Sequence, residues 1–122
     1  MKRIILASVL AVFLVFGFTA SQAGQVIFEW DANSESDLVG YRLYQSLTSG
    51  SYEYGEENAI GVVPAGTETF TLTTSVDGAF FWVVTAYDSA GNESGPSNEV
   101  TADLNFQPPA PPAGCVLRIP GN

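Results

Sequence analysis

The sequence contains no histidine, a single cysteine and only four basic residues among 122 positions. Without histidine, the chain lacks both the commonest general base and the commonest metal ligand of proteins. Cys115 has no second cysteine with which to form an internal disulfide, so the fold must be held together by its apolar core. We therefore expect no metal site and no cofactor, and we expect no nucleophilic role for Cys115.

The N-terminal segment has the pattern of a cleaved signal peptide. Two basic residues precede an apolar run at 4–18, and Ser21-Gln22-Ala23 places small residues three and one before a cut after Ala23. The run is shorter than the ~20 apolar residues of a membrane-spanning helix, which argues against an uncleaved anchor. The sequence thus predicts a signal peptide at 1–23, a secreted or periplasmic protein, and no membrane attachment after cleavage.

Removal of that segment would leave a strongly acidic protein. All thirteen acidic residues lie after residue 23, whereas only two basic residues do, Arg42 and Arg118, which gives a net charge of −11. Such a surface repels the phosphates of nucleic acids and of anionic membranes. We expect no nucleic acid partner, and the charge suits solubility and the attraction of basic partners.

Residues 24–104 are rich in β-branched and aromatic residues, with turn residues between the runs. Apolar and polar side chains alternate within several runs, as in half-buried strands, and no window predicts an amphipathic helix. Short strands at this spacing indicate an antiparallel sandwich or barrel. The predicted strands are 25–30, 41–44, 59–63, 69–73, 80–87 and 98–104.

Four segments carry a resemblance to a known family through their order and spacing. They read VIFEWD at 26–31, DLVGYRLY at 37–44, FFWVVTAY at 80–87 and DSAGNESGPSNEV at 88–100. Together they resemble the fibronectin type III family, and in particular its secreted bacterial members. The resemblance implies an immunoglobulin-like antiparallel β-sandwich of about six strands. A proline-rich tail at 105–122 would follow this domain.

The chain departs from the family where the domain begins. The predicted domain starts almost at the family's second strand, so its first strand is expected to be missing. The edge that carries Val26, Phe28 and Trp30 would then expose unpaired backbone groups. Three outcomes are open: the edge is frayed or solvated, the apolar end of the tail folds back over it, or a partner strand adds to it.

Alternation along the strands also predicts which face each side chain occupies. The residues expected in the core are Val26, Phe28, Trp30, Tyr41, Leu43, Phe70, Leu72, Phe80, Trp82, Val84 and Ala86. The opposite face of one sheet would expose an apolar and aromatic surface, and such patches often mark binding sites for proteins or sugars. The candidate binding residues are Arg42, Tyr44, Phe81, Val83 and Tyr87. Alternatively, these are isolated surface aromatics, or the tail packs over them.

Catalytic and metal chemistry are difficult to build from the remaining residues. The acidic loop at 31–37 spaces oxygen ligands at alternate positions, but it lacks the glycine and the final glutamate of an EF-hand. A domain of ~80 residues offers little room for a cleft that holds two carboxylates across a substrate. We expect a non-catalytic binding or adhesion module with a protein or carbohydrate ligand. The alternative is a structural spacer, or a remnant of a larger multidomain protein.

Overall fold

The computed structural model describes residues 9–16 and 23–121, which form seven β-strands and one short 3-10 turn at Glu56–Asn58. None of the helical structure in these residues is long and apolar enough to cross a membrane. The all-β prediction is confirmed. The strands are β1 (Val9–Phe16), β2 (Gly24–Trp30), β3 (Leu38–Ser46), β4 (Gly61–Pro64), β5 (Thr69–Thr74), β6 (Gly78–Asp88) and β7 (Val100–Leu104).

The strands form two antiparallel sheets. One sheet has three strands in the order β1-β2-β5, and the other has four in the order β4-β3-β6-β7. β6 is the longest strand, with 11 residues, and pairs with β3 along most of its length and with β7 at its N-terminal end. Because its positions 82–86 are all buried, β6 is the central strand that the apolar run at 80–87 predicts.

The core lies between the two sheets. The Phe28 and Trp82 rings meet edge to face across it, with their centroids 5.1 Å apart. Trp30 and Tyr41 make a second such contact at 5.3 Å. Nine of the eleven predicted core residues are buried, and the other two, Phe70 and Leu72, are half-buried against the same cluster. The two sheets thus pack face to face as in a β-sandwich.

One edge differs from the expectation. The segment 9–16, which lies inside the predicted signal peptide, forms β1 and pairs antiparallel with β2 along its whole length, from Val9 opposite Trp30 to Phe16 opposite Gly24. The β2 edge, defined as the side of Gly24–Trp30 that faces β1, is therefore covered in the full chain. The rest of the predicted signal peptide, apart from Ala23, lies outside the described residues, and its cleavage stays a prediction.

The C-terminal tail leaves the sandwich beside the start of β2. Phe106 is 7% exposed, and its ring lies so close to Gly24 that a Cβ on Gly24 would stand 2.1 Å from it. The core thus extends past residue 104, where we expect the domain to end. Beyond Phe106, the described tail is exposed and has no regular secondary structure. It does not cover the β2 edge or the candidate aromatic surface.

Candidate functional site

The loop between β6 and β7 is held against β6 by two serines. β7 pairs only with residues 78–82 of β6, so the backbone groups of Val84 and Ala86 need other partners. Their N–H groups donate to the hydroxyl oxygens of Ser97 (3.0 Å) and Ser94 (2.9 Å), respectively. The carbonyl oxygens of the same two residues accept from the N–H groups of the same serines, both at 2.8 Å. This serine pair fixes the position of the loop.

At the other end of the loop, Asp88 closes a tight turn. One of its carboxylate oxygens accepts from the N–H groups of Ala90 (3.0 Å) and Asn92 (2.9 Å), and the other accepts from the Asn92 side chain (3.1 Å). Aspartate commonly stabilises turns in this way. Together, this turn and the serine pair hold Glu93 over the outer face of the four-stranded sheet.

Glu93 is the centre of a hydrogen-bonded group that we call the Glu93 cluster: Arg42, Tyr44, Thr85 and Glu93. Oε1 of Glu93 lies 2.9 Å from Nη1 of Arg42. Oε2 accepts from the hydroxyls of Tyr44 at 2.5 Å and Thr85 at 2.6 Å. Tyr44 and Thr85 are buried, and the side chains of Arg42 and Glu93 are only 15% and 18% exposed. Polar groups this far from water require such partners, so the cluster fixes Glu93 in one orientation.

The cluster shifts the ionisation of its members. Burial, followed by the hydrogen bond to Glu93, raises the pKa of Tyr44 to about 12. Burial opposes the charge on Arg42, but the hydrogen bond and the attraction from Glu93 outweigh it, and the pKa of Arg42 lies above its ordinary value. Arg42 also stacks over the Tyr87 ring, with 4.1 Å between Cζ and the ring centroid. At neutral pH the cluster thus contains a charged arginine and a neutral tyrosine.

A second loop, at 47–60, lies over the same face. The N–H of Gly55 donates to the Tyr44 hydroxyl at 3.2 Å, and the Tyr54 ring meets the Tyr44 ring edge to face at 5.0 Å. A further attachment is made by Glu99, whose carboxylate accepts from the Tyr52 hydroxyl at 2.6 Å and the Gly50 N–H at 2.8 Å. The loop is therefore anchored at two points, Tyr44 on β3 and Glu99 immediately before β7.

Between the two loops lies a groove of about 380 Å³, which we call the tyrosine groove. It is lined by Tyr54, Glu93, Ser94, Gly95 and Pro96. Tyr54 is 42% exposed, so part of its ring is open to a ligand beside the carboxylate of Glu93. An aromatic face next to a fixed hydrogen-bond acceptor can bind a ligand that has both an apolar face and hydroxyl groups.

The structure changes the expected exposure of the predicted binding residues. Arg42, Tyr44, Phe81, Val83 and Tyr87 do lie on β3 and β6, on the outer face of the four-stranded sheet. However, Tyr44 and Val83 are 1% and 3% exposed, and the other three are half-buried. The expectation of an open aromatic surface was wrong because alternation assigns a side chain to a face but does not show which loops cover that face. The tyrosine groove lies beside this region and is lined by loop residues only.

None of the five groove residues was among the predicted site residues. All five, Glu93 and Tyr54 among them, lie in loops, where side-chain periodicity does not show which way a side chain faces. One signal for the position of Glu93 was present in the sequence. Glu93 directly precedes Ser94, which is followed three positions later by Ser97, and these serines hydrogen-bond to the end of β6, where β6 has no partner in β7. The other predicted site, the edge of Val26, Phe28 and Trp30, contributes these side chains to the core and is paired with β1.

The described residues contain no group of three or more histidine, cysteine or acidic side chains that could hold a metal ion. Cys115 is exposed on the tail. Each oxygen of Glu93 already accepts at least one hydrogen bond from the sheet. These bonds hold the Glu93 carboxylate in one position.

No family model and no curated protein matches the chain. Among solved structures, it is similar to the Clostridium perfringens spore cortex lytic enzyme SleM, with a TM-score of 0.54, 18% identity, and coverage of 81% of this chain and 28% of that one. It is also similar to a β-1,2-glucanase from Parabacteroides distasonis, with a TM-score of 0.54, 21% identity, and coverage of 84% of this chain and 14% of that one. A third similar structure is the Yersinia enterocolitica family 28 exopolygalacturonase, with a TM-score of 0.52, 14% identity, and coverage of 83% of this chain and 21% of that one. The chain thus spans between 14% and 28% of these proteins, and at such low identity the likeness is one of fold.

Proposed function

We propose that this chain is a non-catalytic, exported binding module that holds a carbohydrate in the tyrosine groove. The observation that carries the proposal is the exposed ring of Tyr54 beside the fixed carboxylate of Glu93. A sugar ring presents an apolar face that packs on an aromatic side chain, while its hydroxyls donate to a carboxylate. The groove thus offers both halves of sugar recognition on a rigid support.

The structural neighbours support a carbohydrate rather than a protein ligand. Two are named as a glucanase and a polygalacturonase, and this chain matches only 14% and 21% of their lengths. A β-sandwich of this kind is therefore one part of larger proteins that act on glycans. The acidity of the exported chain, −11, favours a neutral or cationic glycan, because like charges repel across an interface.

We also propose that the sandwich is of the fibronectin type III kind. The four sequence segments that carry the resemblance lie on β2, on the approach to and along β3, on β6, and on the loop that leads into β7. The full chain divides seven strands between a three-stranded and a four-stranded sheet, and without β1 six strands remain in the same two sheets, which agrees with an immunoglobulin-like sandwich. The adhesion role common in such domains agrees with a binding module.

The test is to produce the full-length gene product in an exporting host and to probe the released protein on glycan arrays and insoluble cell-wall polysaccharides. Tyr54→Ala should weaken binding about five-fold or more, since an aromatic contact contributes about 1 kcal/mol. Tyr54→Phe keeps the ring and should bind nearly normally, and Val76→Ala, at an exposed site in another loop, is the matched control. Binding that survives Tyr54→Ala but is lost in Phe81→Ala plus Tyr87→Ala would move the site to the half-buried residues.

A structural spacer is the second candidate function. The exposed, extended tail with Pro108, Pro109, Pro111 and Pro112 favours it, because such segments act as semi-rigid connections between domains. The glycan-binding assay described above distinguishes the two functions. A spacer should show no glycan binding by the unsubstituted protein at any concentration used, and then the Tyr54 variants should not differ from it.

A further inference from the structure

The β2 edge is built to pair with another strand. In the full chain, β1 runs antiparallel along all seven residues of β2, while β5 occupies the opposite side. β1 lies entirely within the segment that the sequence predicts to be removed on export. After such a cut, the outward backbone groups of Gly24–Trp30 would lose their partners, and an unpaired edge readily takes up another strand.

The tail carries an apolar segment that the structure leaves uncovered. Val116, Leu117 and Ile119 are 84%, 88% and 78% exposed. The tail also starts at the right place, because Phe106 packs on Gly24, the first residue of β2, and its N–H donates to the Asp77 carboxylate at 2.7 Å. An apolar segment is thus tethered next to the edge that export would open.

We propose that, once residues 1–23 are removed, the segment 115–119 takes the place of β1 on the β2 edge of the same molecule. It pairs antiparallel with residues 28–30 of β2, in the direction in which β1 runs in the full chain. The leader strand and the tail strand are then alternative partners for one edge, and export exchanges the first for the second. This inference rests on the proposed export but not on the proposed ligand, because it concerns the sheet opposite the one that carries the tyrosine groove.

The length of the connection fits this exchange. The register described below places Cys115 opposite position 32, eight strand steps from Gly24, or about 27 Å at ~3.4 Å per step. The nine steps from Phe106 to Cys115 include four prolines and span about 28 Å at ~3.1 Å per residue. The connection therefore reaches this position when it is extended. Gly114 has a φ of 70°, a left-handed conformation that suits the reversal needed there.

One register satisfies both faces of the sheet. With Arg118 opposite Glu29, Leu117 lies opposite Trp30 and Ile119 opposite Phe28. Side chains directly opposite in an antiparallel pair share a face, so both apolar residues turn towards the core and the two charges meet on the outside. Pro120, which has no N–H to donate, would end the pairing, as prolines do on edge strands.

Hydrogen exchange on the exported product tests the exchange of strands. Intact mass first establishes that 1–23 has been removed; a product that retains the segment overturns the proposal. The Glu29 amide points to the opened edge, because the N–H of the adjacent Trp30 donates to Glu68 on the β5 side. This amide should be protected in the exported protein, and Leu117→Asp should lower its protection about ten-fold or more by placing a charge in the core. Val116→Asn faces outward in this register and is the control; it is uncharged because Val116 lies opposite Asp31. Equal protection in all three proteins would overturn the proposal.

A disulfide trap tests the register and the identity of the molecule that supplies the strand. In the proposed register, Cys115 lies opposite position 32, so Ala32→Cys should give a monomeric disulfide with Cys115 on mild oxidation. Ser51→Cys, on the loop over the other sheet, is the control and should not cross-link within the chain. A disulfide found only between two chains, or none with Ala32→Cys, would overturn the proposed pairing within one molecule.

Discussion

Arg42 and Glu93, which are 51 positions apart in the sequence, form an ion pair of 2.9 Å on the outer face of the four-stranded sheet. The same carboxylate also binds the hydroxyls of Tyr44 and Thr85, which belong to the adjacent strands β3 and β6. One loop side chain thus ties two central strands and the β6–β7 loop together.

Glu93→Ala should lower the free energy of unfolding by about 2–3 kcal/mol, because it leaves a charged arginine and two buried hydroxyls without their acceptor. Glu93→Gln keeps one acceptor oxygen and should cost less. Urea unfolding followed by tryptophan fluorescence measures both variants. Glu57→Ala, at an exposed acidic position in the loop at 47–60, is the control. A loss in Glu93→Ala no larger than in this control would contradict the role of the cluster.

The free energy of unfolding should begin to fall at a pH below the pKa of Tyr44 in the folded protein. The pKa of Tyr44 is raised to about 12, whereas an unfolded chain has tyrosines near 10.0. Between these two values the unfolded state releases protons that the folded state retains, so the stabilisation from neutral Tyr44 is complete below pH 10.0 and is lost as the pH rises towards 12. Unfolding free energies measured from pH 8 to 12 should fall less steeply in Tyr44→Phe than in the unsubstituted protein. Parallel slopes would contradict this assignment.

Gly40 marks a close approach of two strands. A Cβ at this position would lie 2.3 Å from the backbone oxygen of Val63 on β4, and backbone cannot yield as a side chain can. Gly40→Ala should therefore destabilise the protein by about 1–3 kcal/mol. Gly95→Ala, where nothing lies within 4 Å, should change stability by no more than about 0.5 kcal/mol. The midpoint temperatures of thermal unfolding of the two variants and of the unsubstituted protein measure this difference, and equal midpoints for the two variants would contradict the close approach at Gly40.

The inner faces of the strands could be predicted from the sequence, whereas the surface could not. The alternation of Val26, Phe28 and Trp30 follows directly from the two-residue period of a strand, and all three are buried. Tyr44 follows the same rule on the outer face, but its burial depends on the loop at 47–60 and on Glu93. The hydrogen bonds that place these loops join residues about fifty positions apart, such as Tyr52 and Glu99, and local patterns contain no trace of them.

The pairing of residues 9–16 with β2 could not be predicted from their composition. Residues 9–16 read as part of a signal peptide because they are apolar and follow two basic residues. The same residues are β-branched or aromatic at several positions, which also suits a strand. Both interpretations rest on one composition, so the sequence alone cannot choose between a segment that is removed and a segment that pairs with β2.

The folded unit extends past the C-terminal boundary that the sequence predicts. The sequence places the end of the domain at 104, yet Phe106 is 7% exposed, belongs to the core cluster and packs on Gly24. Phe106→Ala should therefore lower the free energy of unfolding by about 3 kcal/mol, as expected when a buried ring is removed and leaves a cavity. Val76→Ala, at a position that is 59% exposed, should have almost no effect on the same urea denaturation curve. If the two variants unfold at the same urea concentration, Phe106 belongs to the tail and the folded unit ends where the sequence predicts.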